Sequence, residues 1–233
     1  MNRINDILNN KNSIFNQDYK NNYINLLNYL SNKTILIFGA GGSIGSQVVL
    51  ELIKYNPRKL ILADINENTV VELIRDIRNQ NINSNIEIEI CITDICNKEL
   101  EIIFKTNKVD ITLNFSALKH VRSEDHILSL KRIFDVNIFG TLNLIKLSIK
   151  YKVNSFFSVS TDKASYPVNF MGASKRIMEK LMHNYSNKIK ISSARFANVY
   201  MSDGSLFDGI KNRIKKNQTI SGPSDVKRFF ITS

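Results

Sequence analysis

Apolar positions along the chain follow two alternating rhythms. They cluster in short runs at Thr34 to Phe38 (TILIF), Lys59 to Ala63 (KLILA), Ile86 to Ile92 (IEIEICI), Ile111 to Phe115 (ITLNF), Ser155 to Ser160 (SFFSVS) and Ile189 to Phe196 (IKISSARF). Short runs rich in β-branched and aromatic residues predict strands. The stretches between them, near 43–55, 67–80, 97–106, 128–151 and 172–185, read as helices. Strands that alternate with helices are joined by crossovers rather than hairpins. The pattern therefore predicts an α/β fold, a doubly wound parallel sheet with right-handed connections and helices on both faces.

Ahead of the first strand the rhythm is looser. Residues 1–32 are polar and Asn-rich, with apolar residues at Ile4, Ile7, Leu8, Ile14 and Phe15, then at Tyr23, Leu26, Leu27 and Leu30. One or two short amphipathic helices are expected there, as an arm that packs on the main domain or reaches an oligomer contact. The expected division is an N-terminal helical arm over 1–32, a dinucleotide-binding domain over 33–200 and the start of a substrate-binding region over 201–233.

Composition narrows the class of protein. With 233 residues, 43% of them hydrophobic, the chain can bury one sizeable core. No apolar run reaches the length of a membrane span, and the N-terminus has no apolar leader segment. Two cysteines, Cys91 and Cys96, do not make a disulfide framework and match no zinc spacing, so a cytoplasmic protein without a metal is expected. The formal charge is +11, spread along the chain; residues 205–233 are richest, with six Lys/Arg against two Asp. A basic surface attracts polyanions or phosphorylated small molecules. No aromatic-basic interleaving of the kind single-strand binders use accompanies it, so nucleic acid is not an expected partner.

The first candidate site lies between the first strand and the first helix of the sheet. Gly39-Ala40-Gly41-Gly42-Ser43-Ile44-Gly45 reads as G-x-x-G-x-x-G. Gly39 allows a tight turn, Gly42 lets the backbone approach a pyrophosphate, and Gly45 lets the helix pack close to the strand. The backbone N–H groups of this turn, Ser43 and Ile44 included, and the helix dipole then face a diphosphate. The second strand ends at Asp64, about 20 residues beyond the glycines, where a carboxylate accepts from the adenosine ribose hydroxyls. It repels a 2′-phosphate, so of NAD and NADP the first is favoured. Asp64 is equally placed to cap the helix that follows. Asp94 and Ile95, after the third strand, are placed either to reach the adenine or to cap the next helix.

A second set of residues stands beyond the carboxyl ends of the fourth and fifth strands, where open α/β sheets bind ligands. One segment is Asn114-Phe115-Ser116-Ala117-Leu118-Lys119-His120-Val121, in which Ser116 and Ala117 lie on the cofactor side. The other runs from Ser158 through Thr161-Asp162-Lys163 to Met171-Gly172-Ala173-Ser174-Lys175. The strings GAGGSIGS, SALKHV, VSTDKA, MGASKR, ARFANV and VKRFFIT occur in this order over residues 33–233. In this ordered set the chain resembles the extended short-chain dehydrogenases, and within them the UDP-N-acetylglucosamine 4,6-dehydratases of the CapD-like polysaccharide biosynthesis proteins.

That resemblance implies a Rossmann fold, a UDP-sugar substrate and a homo-oligomer. It also implies an internal redox cycle. Hydride leaves C4 of the sugar, water is lost across C5 and C6, and hydride returns to C6. Asp162 is implied as the acid at the C6 hydroxyl, which needs a raised pKa, and Lys163 as the base at C5, which needs a lowered one. Adjacent opposite charges oppose both shifts, and from spacing alone the two read as a solvated loop pair. Lys175 is implied as the ligand of the nicotinamide ribose. Four residues earlier, where most short-chain dehydrogenases carry a tyrosine, this chain has Met171, which cannot accept a proton. Thr161, Asp162 and Lys163 are then the candidates for the C4 proton. Lys119, His120, Asn198, Ser205 and Arg228 are implied on the substrate side, and Asn137 as a brace for the active-site strand. A nucleotide-sugar epimerase of the same fold is the alternative. A catalytically silent dinucleotide-binding module is another, favoured by Met171. Because the chain ends in an apolar strand-like segment at Phe229 to Ile231, the substrate half is expected to be truncated.

Overall fold

The computed structural model describes residues 16–80, 85–119, 124–202, 204–220 and 229–231. Six strands form one parallel sheet: β1 (Thr34–Phe38), β2 (Lys59–Asp64), β3 (Glu87–Ile92), β4 (Ile111–Asn114), β5 (Ser155–Thr161) and β6 (Lys190–Phe196). Their order is β3-β2-β1-β4-β5-β6. Chain order reverses between β1 and β4, which leaves a crevice beyond their carboxyl ends. Register puts the key positions at one level: Phe38 pairs with Ala63 and Asn114, and Ser160 pairs with Arg195.

The inner strands β1, β2, β4 and β5 are mostly buried because both faces of the sheet are covered there, whereas the edge strands β3 and β6 carry charged and polar residues. On one face Ile35, Ile37, Leu60 and Leu62 pack with Val49 and Leu52 of α2 (Ser43–Leu52) and Val70 and Leu73 of α3 (Glu67–Asn79). On the other, Leu36, Phe38, Ile61 and Phe156 pack with Ile103 and Phe104 of α4 (Glu101–Thr106), Leu144 and Ile145 of α6 (Thr141–Lys150), and Met178 and Met182 of α7 (Phe170–Asn184). Burying one such side chain stabilises the fold by roughly 1.5–3 kcal/mol against leaving it in water.

The expected helix over 128–151 is built as three pieces. Helix α5 (Ile127–Phe134) runs into a π-helical segment, Asp135–Gly140, and then into α6. The wider turn lets a polar residue face inward at full burial: Asn137 is 0% exposed. Its Oδ1 accepts from Leu118 N–H (2.9 Å), and its Nδ2 donates to Leu118 O (3.0 Å) and Ser174 Oγ (2.9 Å). Asn137 thus clamps the segment after β4 to α7, the bracing role expected of it. Helix α4 begins at Glu101 rather than near residue 97, because Asp94 and Asn97 fold the intervening backbone into turns. The helix after β2 is capped by Asn66, whose Oδ1 accepts from Thr69 N–H, so the cap expected of Asp64 lies two residues further on.

Helix α1 (Asn16–Leu30) forms the described part of the arm; the apolar positions before residue 16 lie outside the described residues. It packs with Tyr23, Leu26 and Leu27 against the α2–α3 face, and Tyr29 Oη donates to Ser155 Oγ (2.7 Å). Two short strands, β7 (Asn198–Val199) and β8 (Phe230–Ile231), pair in parallel beside the sheet, and α8 (Leu206–Lys215) lies between them in sequence. Among the described residues, no helix is long and apolar enough to cross a membrane, and no group of acidic, His or Cys side chains could hold a metal ion.

Candidate active site

A cavity of about 460 Å³ opens at the carboxyl ends of β1, β4 and β5. One wall is the glycine turn, with Gly39, Gly42, Ser43, Ile44 and Gly45. Gly39 has φ +73°, and a Cβ there would lie 2.7 Å from the backbone of Phe115 and Ser116. A Cβ on Gly45 would lie 2.0 Å from Gly39 O, so the helix can start where it does only without a side chain. At Gly42 the nearest atom to a Cβ is Gly39 O, 3.4 Å away. This position faces open space, and its bare backbone is what a ligand would meet. Gly42 is also the N-cap of α2 and has no side-chain cap, so the positive end of the helix dipole faces this wall with no capping side chain before it. The wall fits a diphosphate.

Asp64 sits behind this wall. Its Oδ2 accepts from Gly41 N–H (2.9 Å) and its Oδ1 from Asn66 N–H (3.0 Å), so the carboxylate holds the glycine turn against the end of β2. Asp94 accepts from Cys96 N–H and forms an ion pair with Arg132 of α5. Burial pushes the Asp94 carboxyl up, but the Cys96 amide and the Arg132 guanidinium outweigh it, and the value lies below the usual carboxylate range. Ile95 is buried and packs on Gly140. Both residues make structural contacts at the end of β3, outside the cavity lining. Ser116 N–H donates to Asn114 Oδ1 (3.1 Å) against the back of Gly39, and Ala117 and Lys119 line the cavity itself.

The opposite wall carries Thr161, Lys163, Met171 and Lys175. Met171 and Lys175 are 6% and 4% exposed and sit one turn apart on the same face of α7, as the spacing required. Lys175 Nζ donates to Val159 O (2.9 Å) and lies 3.7 Å from Met178 Sδ. Complete burial among these groups pushes its ammonium down to about 8, against a smaller upward pull from Glu179. A lysine in this state exchanges its proton readily near neutral pH.

Asp162 and Lys163 form a short helical turn after β5, with Thr161 Oγ1 as its cap. Lys163 Nζ donates to Asp162 Oδ1 (3.1 Å) and to Asn198 Oδ1 (3.4 Å). The Asp162 carboxylate also accepts from Thr161 Oγ1 (2.9 Å) and Lys163 N–H (2.8 Å). Burial pushes Asp162 up, but these donors together outweigh it and hold the carboxyl below its ordinary value. The raised value expected of an acid is therefore not present in the free cavity. The side chains are about half exposed, and both the pairing and the cavity position of Lys163 are real, so neither expected reading of the pair excludes the other.

The third wall comes from the C-terminal region. Asn198, Ser202, Gly204, Ser205 and Phe230 line it. Asn198 bridges Lys163 to β8, since its Nδ2 donates to Phe229 O (3.0 Å). Ser205 Oγ accepts from Asp208 N–H and caps α8, whose N-terminus faces the same cavity. Sequence reading singled out Asn198 and Ser205 but not the α8 cap, and it missed Val159, Ser160, Phe196 and Leu206 in the lining. Those are small or apolar residues that carry no chemical signature. His120 and Arg228, expected on the substrate side, lie outside the described residues. Tyr166, at 85% exposure, points away from any substitute role for the missing tyrosine.

Residues 35–233 match the family described as polysaccharide biosynthesis protein. The chain is 32% identical to the capsular polysaccharide biosynthesis protein CapD of Staphylococcus aureus over 87% of its own length and 34% of that protein. It is 33% identical to a UDP-glucose 4-epimerase of Rickettsia bellii, covering 86% of this chain and 59% of that one. Among solved structures, Pen from Bacillus thuringiensis superposes with a TM-score of 0.77 at 28% identity, over 88% of this chain and 62% of that one. The chain thus spans between 34% and 61% of the length of curated relatives it matches.

Proposed function

The chain belongs to the polysaccharide biosynthesis protein family, and from that membership we propose that it carries the cofactor and acid–base half of a nucleotide-sugar 4,6-dehydratase acting on a UDP-N-acetylglucosamine-type substrate. The observation that carries this reading is the shared cavity: a bare glycine turn on one wall, Thr161, Lys163 and Lys175 on the other. Two helix N-termini, of α2 and of α8, face this one space. The uncapped α2 terminus suits a diphosphate, while at α8, where Ser205 Oγ accepts from Asp208 N–H, a phosphate of the nucleotide sugar would share or displace that cap.

The Gly42 to Gly45 backbone would hold the pyrophosphate of NAD, and Asp64, already fixed by two amides, would accept from the ribose and disfavour a 2′-phosphate. When bound, the nicotinamide would take the hydride from the sugar and give it back. Lys175, in the lining of the same cavity, would face the nicotinamide ribose and can release its Nζ proton near pH 8. Lys163 passes a proton to Asp162 along their hydrogen bond, and the neutral amine so formed then takes the C5 proton of the sugar. Asp162 gives a proton to the C6 hydroxyl. A seated sugar would strip water and break the Lys163 pairing, and both changes raise the carboxyl toward the value an acid needs. Thr161, next to both, is the nearest hydroxyl that could carry the C4 proton in place of a tyrosine.

Identity to a UDP-glucose 4-epimerase supports a second reading, in which the hydride returns to C4 and no water leaves. Mass spectrometry of the product after incubation with NAD and UDP-N-acetylglucosamine separates the two. Loss of one water from the nucleotide sugar is expected. An unchanged mass with an inverted C4 centre replaces dehydration by epimerisation, and cofactor binding with neither product leaves a silent dinucleotide-binding module.

A further inference from the structure

Below the cavity floor, Glu179 joins three elements that carry site residues. It stands on α7 one turn after Lys175. Its Oε1 accepts from Ser160 Oγ (2.6 Å) and from Arg195 Nε (2.8 Å), and its Oε2 accepts from an Arg195 terminal nitrogen (2.7 Å). Ser160 immediately precedes Thr161-Asp162-Lys163, and Arg195 pairs with it across β5 and β6, three residues before Asn198. A bidentate Arg–carboxylate contact has a fixed geometry, which a single charge–charge contact does not. We propose that Glu179 is a positioning residue for this site: it sets where the Thr161–Lys163 corner sits relative to α7, and it is the counter-charge of the buried Lys175.

This inference rests on the reading of the cavity as an active site. The physical case is one of position, since residues four apart on a helix are neighbours on one face. Lys175 is buried with a carbonyl and a thioether as its neighbours, neither of them a full negative charge. The other charged groups around α7 are already engaged. Asp162 pairs with Lys163, Asp135 of the π segment pairs with Lys131, and Glu124 accepts from the Phe170 and Met171 N–H groups at the start of α7. Arg195 faces Glu179, and Lys119, across the cavity, is a like charge. Glu179 is itself paired with Arg195, but it alone of these carboxylates stands one turn from Lys175 on the same helix, and its field favours the charged form of that lysine. The carboxylate itself is held ionised, chiefly by Arg195, with burial opposing and Ser160 assisting.

The test uses the whole chain with 13C-labelled lysine side chains, the Lys175 signal being assigned by its loss in Lys175→Met. Glu179→Gln removes the charge and keeps an acceptor for Ser160. Its Lys175 titration should move to lower pH, and turnover should fall about tenfold or more while KM for the nucleotide sugar stays within about threefold. Ser160→Ala keeps the charge and cuts the tether. There the titration should stay in place while turnover falls. Glu179→Asp, with the charge kept on a shorter arm, should behave like Ser160→Ala and covers the case in which the glutamine variant does not fold. A Lys175 titration that does not move in folded Glu179→Gln, or turnover per folded molecule equal to wild type in all three, overturns the proposal. If the unaltered chain turns over no nucleotide sugar, the active-site reading fails by itself, and the Lys175 titration still decides whether Glu179 is its counter-charge.

Discussion

The two walls of the cavity are built in opposite ways. The glycine turn is made of backbone. Its shape follows from three missing side chains, and Gly39 and Gly45 have no room to acquire one. The Thr161 to Lys175 wall is made of side chains that hold one another: Lys163 with Asp162 and Asn198, Ser160 with Glu179, Lys175 with Val159 O. A backbone wall is ready for its ligand before the ligand arrives. A side-chain wall in the free protein satisfies itself, and a substrate must displace those contacts. The first arrangement suits a cofactor that stays; the second suits a substrate that enters, reacts and leaves.

The largest effect should come from the side-chain wall. Asp162→Asn combined with Lys163→Ala should lower turnover about 10³-fold or more, while unfolding in urea shifts by less than about 0.5 kcal/mol, since the pair is half exposed. Unchanged turnover would remove the catalytic assignment. The backbone wall should respond in the other currency. Gly45→Ala forces a Cβ onto Gly39 O and should cost about 3 kcal/mol of stability by urea titration, with loss of NAD binding by calorimetry. Gly42→Ala meets only ordinary contact and should leave stability intact while weakening NAD. Equal stability losses in the two variants would break the distinction drawn between them.

Lys175→Met tests what the buried amine costs the fold. At pH 7 the variant should be more stable by on the order of 2 kcal/mol, because a desolvated charge is replaced by an apolar chain of similar length. The sign with pH follows from the direction of the shift. The folded value, about 8, lies below the unfolded one, so the unfolded chain binds more protons between them. Wild-type stability therefore rises as pH climbs from about 8 toward the ordinary lysine value, and the advantage of the variant should shrink over that range. An advantage constant with pH would mean that Lys175 is not the titrating group. The smallest effect belongs to Met201, which sits in the left-handed region at φ +56° beside the substrate wall. Met201→Gly should relieve about 1 kcal/mol of strain, read as a small rise in melting temperature.

Different parts of this molecule were readable from sequence for different reasons. The inner strands were readable because a strand covered on both faces is apolar along its length, as in TILIF and KLILA, and the edge strand β3 because apolar and polar residues alternate in IEIEICI. The glycine turn was readable because a missing side chain is itself a signal. The break in the long helix at Asp135 to Gly140 was not, since a π turn is set by what Asn137 finds on the neighbouring segment. Nor was the helix cap, which fell to Asn66, or the bond by which the Asp64 carboxylate also accepts from the glycine turn.

Sequence by itself determined the alternation of strands and helices, the position of the glycine turn and the spacing that puts Met171 and Lys175 on one face of a helix. These are local matters, governed by periods of two and 3.6 residues and by the room around a Cα. Tertiary structure alone decided the charge states and the partners. Lys175 is displaced from its ordinary value because burial against β5 strips its water, and Asp162 sits below its own because Thr161 and Lys163 turn back upon it. Charge depends on solvent and neighbours in three dimensions, and residues distant in the chain, such as Ser160, Glu179 and Arg195, become neighbours only after the sheet has formed.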